Sequence, residues 1–430
     1  MLCISWWLRR LLLASEGVTT THKETVVATI NDSFFLLFIS YPTMFELREY
    51  QKQAVERGVA FFTQETRSNW SLMVLPTWSW KSLVIANIAK QLPWNTIILQ
   101  PSKEILEQNY AKIQAYGVRD CAIFSASLWK KQIAKLTFAT IGSIISKKEL
   151  HWHFNNIIVD ECHLVNHEWW QYEDFIRTTG CKVLGLTATP YRLKQYMSWS
   201  MLRFLTRTRN CIFQEVIHYT QIEEIAKLWF LAPMKYYEIK SIDTSRLITN
   251  STGLDYTDRS LRNHFDEIHL KEKIVEIVER LLIAGRKHIL VFTKFVEDAK
   301  IISELLQQNG LTSDFVSWET PKKERERILA DFKNWNIQCV TNVGVLTTGF
   351  DFPELDAIIM ARPTKSLALY YQMVGRWMRP HKDKDDCWVI DMSETKKRFG
   401  EVSELKLEDT GKWKRIIRAG YRILTWTFMK

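Results

Sequence analysis

Glycine is scarce in this chain, with 15 of 430 residues against ~7% in an ordinary globular protein. Proline is scarce as well, at 10 residues. These counts exclude collagen-like and Pro/Gly-rich disordered classes. The seven cysteines are odd in number, scattered, and contain no CxxC pair. That argues against a disulfide scaffold and for a reducing compartment, read here as cytoplasmic. No apolar run reaches the ~18 residues a spanning helix needs. The segment around Trp6 and Leu13 is interrupted by Arg9 and Arg10, and the patch from Phe34 to Ile39 is short. No membrane partner is expected. Residues 1–43 are read as an extension outside a fold that begins near Met44, rather than as a targeting segment.

What is present in excess is tryptophan. There are 18, more than the glycines. Hydrophobic residues make up 46% and charged residues 25%, ordinary values for a chain with large buried cores. The net charge of +10 allows a polyanionic partner without specifying one.

From residue 44 onward, short Ile/Val-rich runs alternate with stretches of helical spacing. Runs at 71–75, 96–99, 121–124, 136–139, 156–159 and 182–186 read as buried strands, with helices at 82–91 and 103–116 between them. The pattern fades over 195–265 and restarts with strands at 288–292, 312–316, 337–341, 357–361 and 388–391. This alternation predicts α/β architecture with parallel sheets covered by helices. The expected organisation is a first domain at 44–210, a linker at 211–265, a second domain at 266–395 and a basic helical tail at 396–430.

Several strand ends carry chemistry. Pro76, Thr77, Trp78, Ser79, Trp80, Lys81 and Ser82 follow a strand and open a helix, the setting of a phosphate-binding loop. Lys81 can reach β- and γ-phosphates, and the Ser82 hydroxyl can hold Mg²⁺. The strand at 156–159 ends in Asp160, Glu161, Cys162 and His163. There Asp160 can bind Mg²⁺, and Glu161 can orient or deprotonate an attacking water. Thr187, Ala188, Thr189 and Pro190 end the next strand. His151, His153, Cys162, His163 and His167 could suggest zinc, but Cys162 and His163 belong to the Asp-Glu-Cys-His box.

The Asp-Glu-Cys-His box followed by Thr-Ala-Thr-Pro resembles the superfamily 2 helicases, the DExH-type ATP-dependent translocases. The resemblance covers roughly residues 45–392 and implies two tandem RecA-like domains with an ATP cleft between them. It implies that Gln51 reads adenine. Thr77, Ser79, Lys81, Ser82, Gly349 and Asp351 would belong to the nucleotide site, with Mg²⁺ held by Ser82 and Asp160. Glu161, Gln372, Arg376 and Arg379 would be catalytic, the arginines acting as fingers on the γ-phosphate. Pro101, Ser102, Lys103, Gly142, Ser143, Thr347 and Thr348 would grip a nucleic-acid backbone. The implied partner is DNA, with RNA as an alternative, and the implied activity is ATP-driven unwinding by a monomer. Within the superfamily the compact two-domain layout is similar to the phage- and bacterial-type DNA helicases and repair translocases. A remodelling or annealing translocase is the second reading.

The same family pattern wants glycine at 78, 80 and 377, and often at 318, where this chain has tryptophan. Trp129, Trp229 and Trp335 also stand in turn-like contexts. A backbone that must approach phosphate, or adopt positive φ, needs glycine. Translation of UGA as tryptophan where the source reads glycine would account for all of them. A decayed ATPase that only binds nucleic acid, and chance surface tryptophans, are the other readings.

Overall fold

The computed structural model describes residues 46–430, apart from 67, 78, 165–169, 197–198, 208–210, 229, 347–351, 412–414, 426–427 and 430. The expected extension at 1–43 therefore lies outside the described residues.

The first half opens with helix α1 (Glu49–Thr63), then β1 (Trp70–Val74), α2 (Lys81–Gln91), β2 (Thr96–Gln100) and α3 (Lys103–Ala115). Strands β3 (Cys121–Ser125), β4 (Lys130–Lys131), β5 (Leu136–Thr140), β6 (Asn156–Val159) and β7 (Lys182–Thr187) follow. Next come β8 (Tyr191–Tyr196), β9 (Trp199–Phe204) and β10 (Glu215–Tyr219). One eight-stranded sheet runs in the order β10-β1-β7-β6-β2-β5-β3-β4. Its pairings are parallel except for the short β3–β4 edge. Every residue of β2, β3 and β6 is buried. That is the reason these strands read as unbroken apolar runs: helices cover both faces.

The second half contains α4 (Ile222–Lys227), β11 (Met234–Glu238), α5 (Leu270–Ile283), β12 (Ile289–Phe292) and α6 (Val296–Gln308). It continues with β13 (Ser313–Ser317), α7 (Lys322–Lys333), β14 (Cys339–Val343), β15 (Ala357–Met360), α8 (Leu367–Gly375) and β16 (Cys387–Asp391). A six-stranded, wholly parallel sheet runs β11-β16-β15-β12-β14-β13.

Two expectations about the connecting regions are corrected. The 211–265 segment is more than a linker. It supplies the edge strand β10 to the first sheet and the edge strand β11 to the second. Edge strands bury one flank only, so their apolar signal is diluted; β10 and β11 have no fully buried residue. Past a 3₁₀ turn (Val402–Glu404), the described residues of the tail are strand rather than α-helix. They form β17 (Leu405–Asp409), β18 (Arg415–Ala419) and β19 (Arg422–Ile423), a small antiparallel sheet. The basic residues there alternate with buried Ile416, Ile417 and Ala419. Gln221 fastens this sheet to the first half: its side chain donates to the Leu407 carbonyl at 2.5 Å and accepts from the Leu407 N–H at 3.1 Å.

Candidate nucleotide and nucleic-acid site

The parallel register gathers the strand ends. Val74 of β1 lies beside Thr187 of β7, and Leu99 of β2 lies beside Val159 of β6. Residues that follow these strands therefore meet along one edge, where open α/β sheets bind ligands.

Lys81 starts α2 and is buried. Its ammonium pairs with Glu161 and lies 3.8 Å from Asp160 Oδ1. Asp160 is itself buried, which pushes its carboxyl pKa up, while the neighbouring Lys81 charge opposes that shift. Glu161 occupies the left-handed region at φ 46°, an uncommon conformation for a side-chain-bearing residue and one found at functional sites. Gln51 is buried under the loop. Its amide donates to the Ser79 carbonyl at 2.9 Å and its oxygen accepts from the Arg48 N–H at 2.9 Å. In this arrangement Gln51 pins α1 to the phosphate loop rather than presenting a free amide. Thr77 sits under the second half: its N–H points to the Tyr371 hydroxyl at 3.4 Å.

One residue here was missed by reading the sequence. Asn109, on α3, accepts from the Ser82 hydroxyl at 3.2 Å and donates to Asp160 Oδ2 at 3.0 Å and Gln100 Oε1 at 3.3 Å. It joins the two residues expected to hold Mg²⁺. With its proton directed at Asn109, the Ser82 oxygen keeps its lone pairs turned away from α3. The Ser82 hydroxyl and the Asp160 carboxylate are hard oxygen donors, the set Mg²⁺ takes. Nothing in the local sequence singles Asn109 out; its position on the loop-facing side of α3 is set by tertiary packing.

His163 connects the site outward. Nδ1 lies 3.0 Å from Thr187 Oγ1 and 3.4 Å from Glu161 Oε2. Nε2 lies 3.2 Å from the Gln372 amide, which comes from α8 of the second sheet. Burial lowers the imidazole pKa to about 4, so at neutral pH the ring has one donor and one acceptor nitrogen. A chain of contacts thus runs from Glu161 through His163 to Gln372. Arg192 donates to the His163 carbonyl at 2.9 Å and holds this loop. His151 packs edge-on against Phe175 at 4.7 Å and His153 against Phe154 at 5.2 Å. Neither ring contact involves Cys162 or His163, and His167 lies outside the described residues.

The expected nucleic-acid residues adjoin one another. Gln100 pairs with Thr140 in the register, so Pro101, Ser102 and Lys103 lie beside Gly142 and Ser143. Ser102 caps α3 by accepting from the Ile105 N–H at 3.3 Å. Ser143 Oγ accepts from the Ala126 N–H at 2.9 Å and lies 2.8 Å from Thr140 Oγ1. A Cβ built on Gly142 meets nothing within 4 Å. Thr347, Thr348, Gly349 and Asp351 lie outside the described residues. Arg376 and Arg379 bound the 3₁₀ turn that ends α8. Arg379 is half-buried, and its charge acts on Tyr116 and Lys384.

The tryptophans divide. Trp80 is in the left-handed region, φ 57° and ψ 51°, directly before Lys81. Its ring is turned out of the loop, 38% exposed, with the Arg48 guanidinium 5.6 Å from the ring centre. That conformation costs an L-residue about 1–2 kcal/mol. Trp377 is different: it is fully buried within the 3₁₀ turn and has no positive φ. Trp318 also has no positive φ, while Trp78 and Trp229 lie outside the described residues.

Two RecA-like sheets, with an acidic box on the first reached by a glutamine from the second, define the class of helicase-type ATPase folds. Residues 44–192 match the family described as "Type III restriction enzyme, res subunit", and residues 272–381 match "Helicase conserved C-terminal domain". The chain is a superfamily 2 helicase-type protein. It is 26% identical over 379 residues to a Saccharomyces cerevisiae protein named as an ATP-dependent helicase, IRC3, covering 80% of this chain and 51% of that protein. It is 28% identical over 325 residues to a 51.5 kDa protein of a Lactococcus phage, covering 74% of this chain and 64% of that one. The chain thus spans less than two thirds of either relative. Against the DNA 3'-5' translocase XPB2 of Sulfurisphaera tokodaii, identity is 24%, with 79% of this chain and 80% of that one covered. Among solved structures, a Type ISP restriction-modification enzyme, LlaBIII, bound to DNA has the same fold at TM-score 0.59 and 17% identity. That match covers 82% of this chain and 28% of the enzyme.

Among the described residues, no helix is long and apolar enough to cross a membrane.

Proposed function

We propose that this chain is an ATP-dependent nucleic-acid helicase or translocase, with DNA as the favoured track. The observation that carries the reading is the contact chain Lys81–Glu161–His163–Gln372, which runs from the phosphate loop to the second sheet. Lys81 and Ser82 would hold the triphosphate and its Mg²⁺, with Asp160 as the second protein oxygen on the metal. Held there, Mg²⁺ would supply positive charge against the developing phosphate charge. Glu161, released from Lys81 when phosphate takes the ammonium, is placed to orient and deprotonate water. Gln372 and His163 report occupancy of the first half to the second. Pro101, Ser102, Lys103, Gly142, Ser143, Thr347 and Thr348 would grip phosphate and sugar, so the track is held without regard to sequence. Arg376 and Arg379 would complete the γ-phosphate site when the two halves close. We place the protein in a reducing compartment: none of the six described cysteines is in a disulfide, and five of them are buried.

The second reading, a nucleic-acid-binding chain without turnover, is favoured by Trp80, whose left-handed backbone directly before Lys81 stands where a phosphate loop needs glycine. The test is ATP hydrolysis with and without single-stranded DNA or RNA, on the chain as written and on Trp78→Gly/Trp80→Gly. Stimulated turnover in the double variant supports the first reading. Absence of turnover in the double variant, with nucleic-acid binding retained, overturns it. Calorimetric titration with a non-hydrolysable ATP analogue should show very weak binding to the chain as written and restored binding to the double variant. Equal affinities would remove the tryptophans as the obstacle.

A further inference from the structure

Three helices in this chain end in the same way. After α3, α5 and α6 a capping residue is followed by a glycine with positive φ: Gly117 at 82°, Gly285 at 84° and Gly310 at 79°. The next N–H then reaches back to close a six-residue loop. Val118 donates to the Ile113 carbonyl at 3.3 Å, Arg286 to Leu281 at 2.9 Å and Leu311 to Leu306 at 3.0 Å. This is the Schellman ending, in which the left-handed residue is usually glycine because a Cβ is penalised there.

Helix α7 ends identically, with one exception. Asn334 caps it, Asn336 donates to the Asp331 carbonyl at 2.9 Å, and the left-handed residue is Trp335 at φ 67°. Trp129 repeats the anomaly in a different turn. It follows the 3₁₀ turn after β3 at φ 55° and ψ 25°, and its side chain is 93% exposed. Trp80, in the phosphate loop, is the third. Among the described residues six non-glycine positions have positive φ, and these three tryptophans are half of them. Asn and Asp are the side-chain-bearing residues that tolerate this region; a bulky aromatic is an outlier. Trp129 and Trp335 lie outside every nucleotide or nucleic-acid motif, so no site chemistry explains them.

Other tryptophans are built in as tryptophan. Trp388 lies in β16 with a normal extended backbone, the Arg286 guanidinium 4.1 Å from its ring centre and Tyr237 at 4.6 Å. Trp70 starts β1 beside Arg177 at 5.1 Å.

We infer that the chain carries two populations of tryptophan, and that residues 80, 129 and 335 are glycine in the functional protein because one codon, UGA, is read as glycine by its source. The inference rests on backbone conformation and is independent of the proposed activity. Its functional consequence is confined to position 80, where it removes an indole from the residue preceding Lys81. Trp335 has two ring contacts, His288 at 4.0 Å and the Lys287 ammonium 5.4 Å from its ring centre, and is still 53% exposed; glycine would leave that face of His288 to solvent.

The codons and the native protein test this. Positions 80, 129 and 335 should be encoded by UGA, and positions 70 and 388 by UGG. Peptide mass spectrometry of protein purified from its source should find glycine at the first three and tryptophan at the last two. A UGG codon, or a tryptophan in the native peptide, at 129 or 335 overturns the inference whatever the ATPase result. On the expressed chain, Trp129→Gly should raise the melting temperature by about 2–4 °C, whereas Trp129→Ala, which keeps a Cβ, should not. Equal gains from the two variants would show that the left-handed backbone is not the cause.

Discussion

At the scale of single residues, the catalytic reading turns on Glu161 and Asn109. Glu161→Gln keeps the shape of the side chain and removes its basicity. In the Trp78→Gly/Trp80→Gly background it should abolish turnover while nucleotide binding persists. A loss of affinity as large as the loss of rate would contradict the assigned role. Asn109→Ala leaves the Ser82 hydroxyl and one Asp160 oxygen without their shared partner. Outer partners of metal ligands typically contribute 10–100-fold in metal affinity. We therefore expect the Mg²⁺ requirement for nucleotide binding to rise by about 10-fold, with metal-free binding unchanged. Calorimetry across a Mg²⁺ series reads this directly, and equal losses with and without Mg²⁺ would mark Asn109 as merely structural. Glu161 was legible because two adjacent carboxylates end a strand; Asn109 was not, because a lone helical asparagine has no signature until α3 is packed across β2, β3 and β5.

At the scale of elements, the buried parallel strands were legible and the edges were not. β2, β6, β12 and β15 are buried throughout and carry apolar centres because helices cover both faces. β10 and β11 mix polar and apolar residues, so the segment reads as a linker until each is paired. The tail shows the same failure from another cause. Its basic residues suggest a helical face, but Leu405, Leu407, Ile416 and Ile417 interleave with them, and pairing between β17 and β18 decides the outcome. Helix α8 is the element that couples the halves. It brings Gln372 to His163 and Tyr371 to Thr77. Gln372→Ala should keep nucleotide binding and remove most of the stimulation of turnover by single-stranded DNA, since the phosphate-loop contacts stay and the cross-sheet contact to His163 is lost. Stimulation kept at its full value would exclude this route of coupling.

At the scale of the whole molecule, two buried histidines, His163 and His288, and the half-buried His218 set an acid limit. Burial lowers His163, His218 and His288 to about 4, below the ~6.5 of an unfolded histidine. Between these values the unfolded chain binds more protons, so stability falls as pH drops through that window and is unaffected by these groups above it. The loss by pH 4 is at most roughly 3 kcal/mol for each fully buried ring and less for His218, which keeps part of its solvent, a large share of the 5–15 kcal/mol usual for a native protein. Urea melts at pH 7 and pH 4.5 should differ accordingly. His288→Phe should shrink the difference, because the ring is already enclosed by Phe332, Trp335 and Phe352. An unchanged pH dependence in that variant would assign the acid sensitivity elsewhere.

The sequence alone determined the α/β class, most of the strand positions and the local motifs. Each of these is written in a contiguous stretch, as hydrophobic period or as residue types at fixed spacing. It also exposed the surplus of tryptophan over glycine. Only the tertiary structure decided which distant residues share a site: Asn109 with Ser82 and Asp160, Gln372 with His163, Gln221 with the C-terminal sheet. Those contacts depend on register and packing between segments far apart in the chain. The tryptophans show the same division. Their number is a property of composition, but whether a given one is tolerated depends on φ, and φ at Trp80, Trp129 and Trp335 is imposed by the turns that the surrounding strands and helices require.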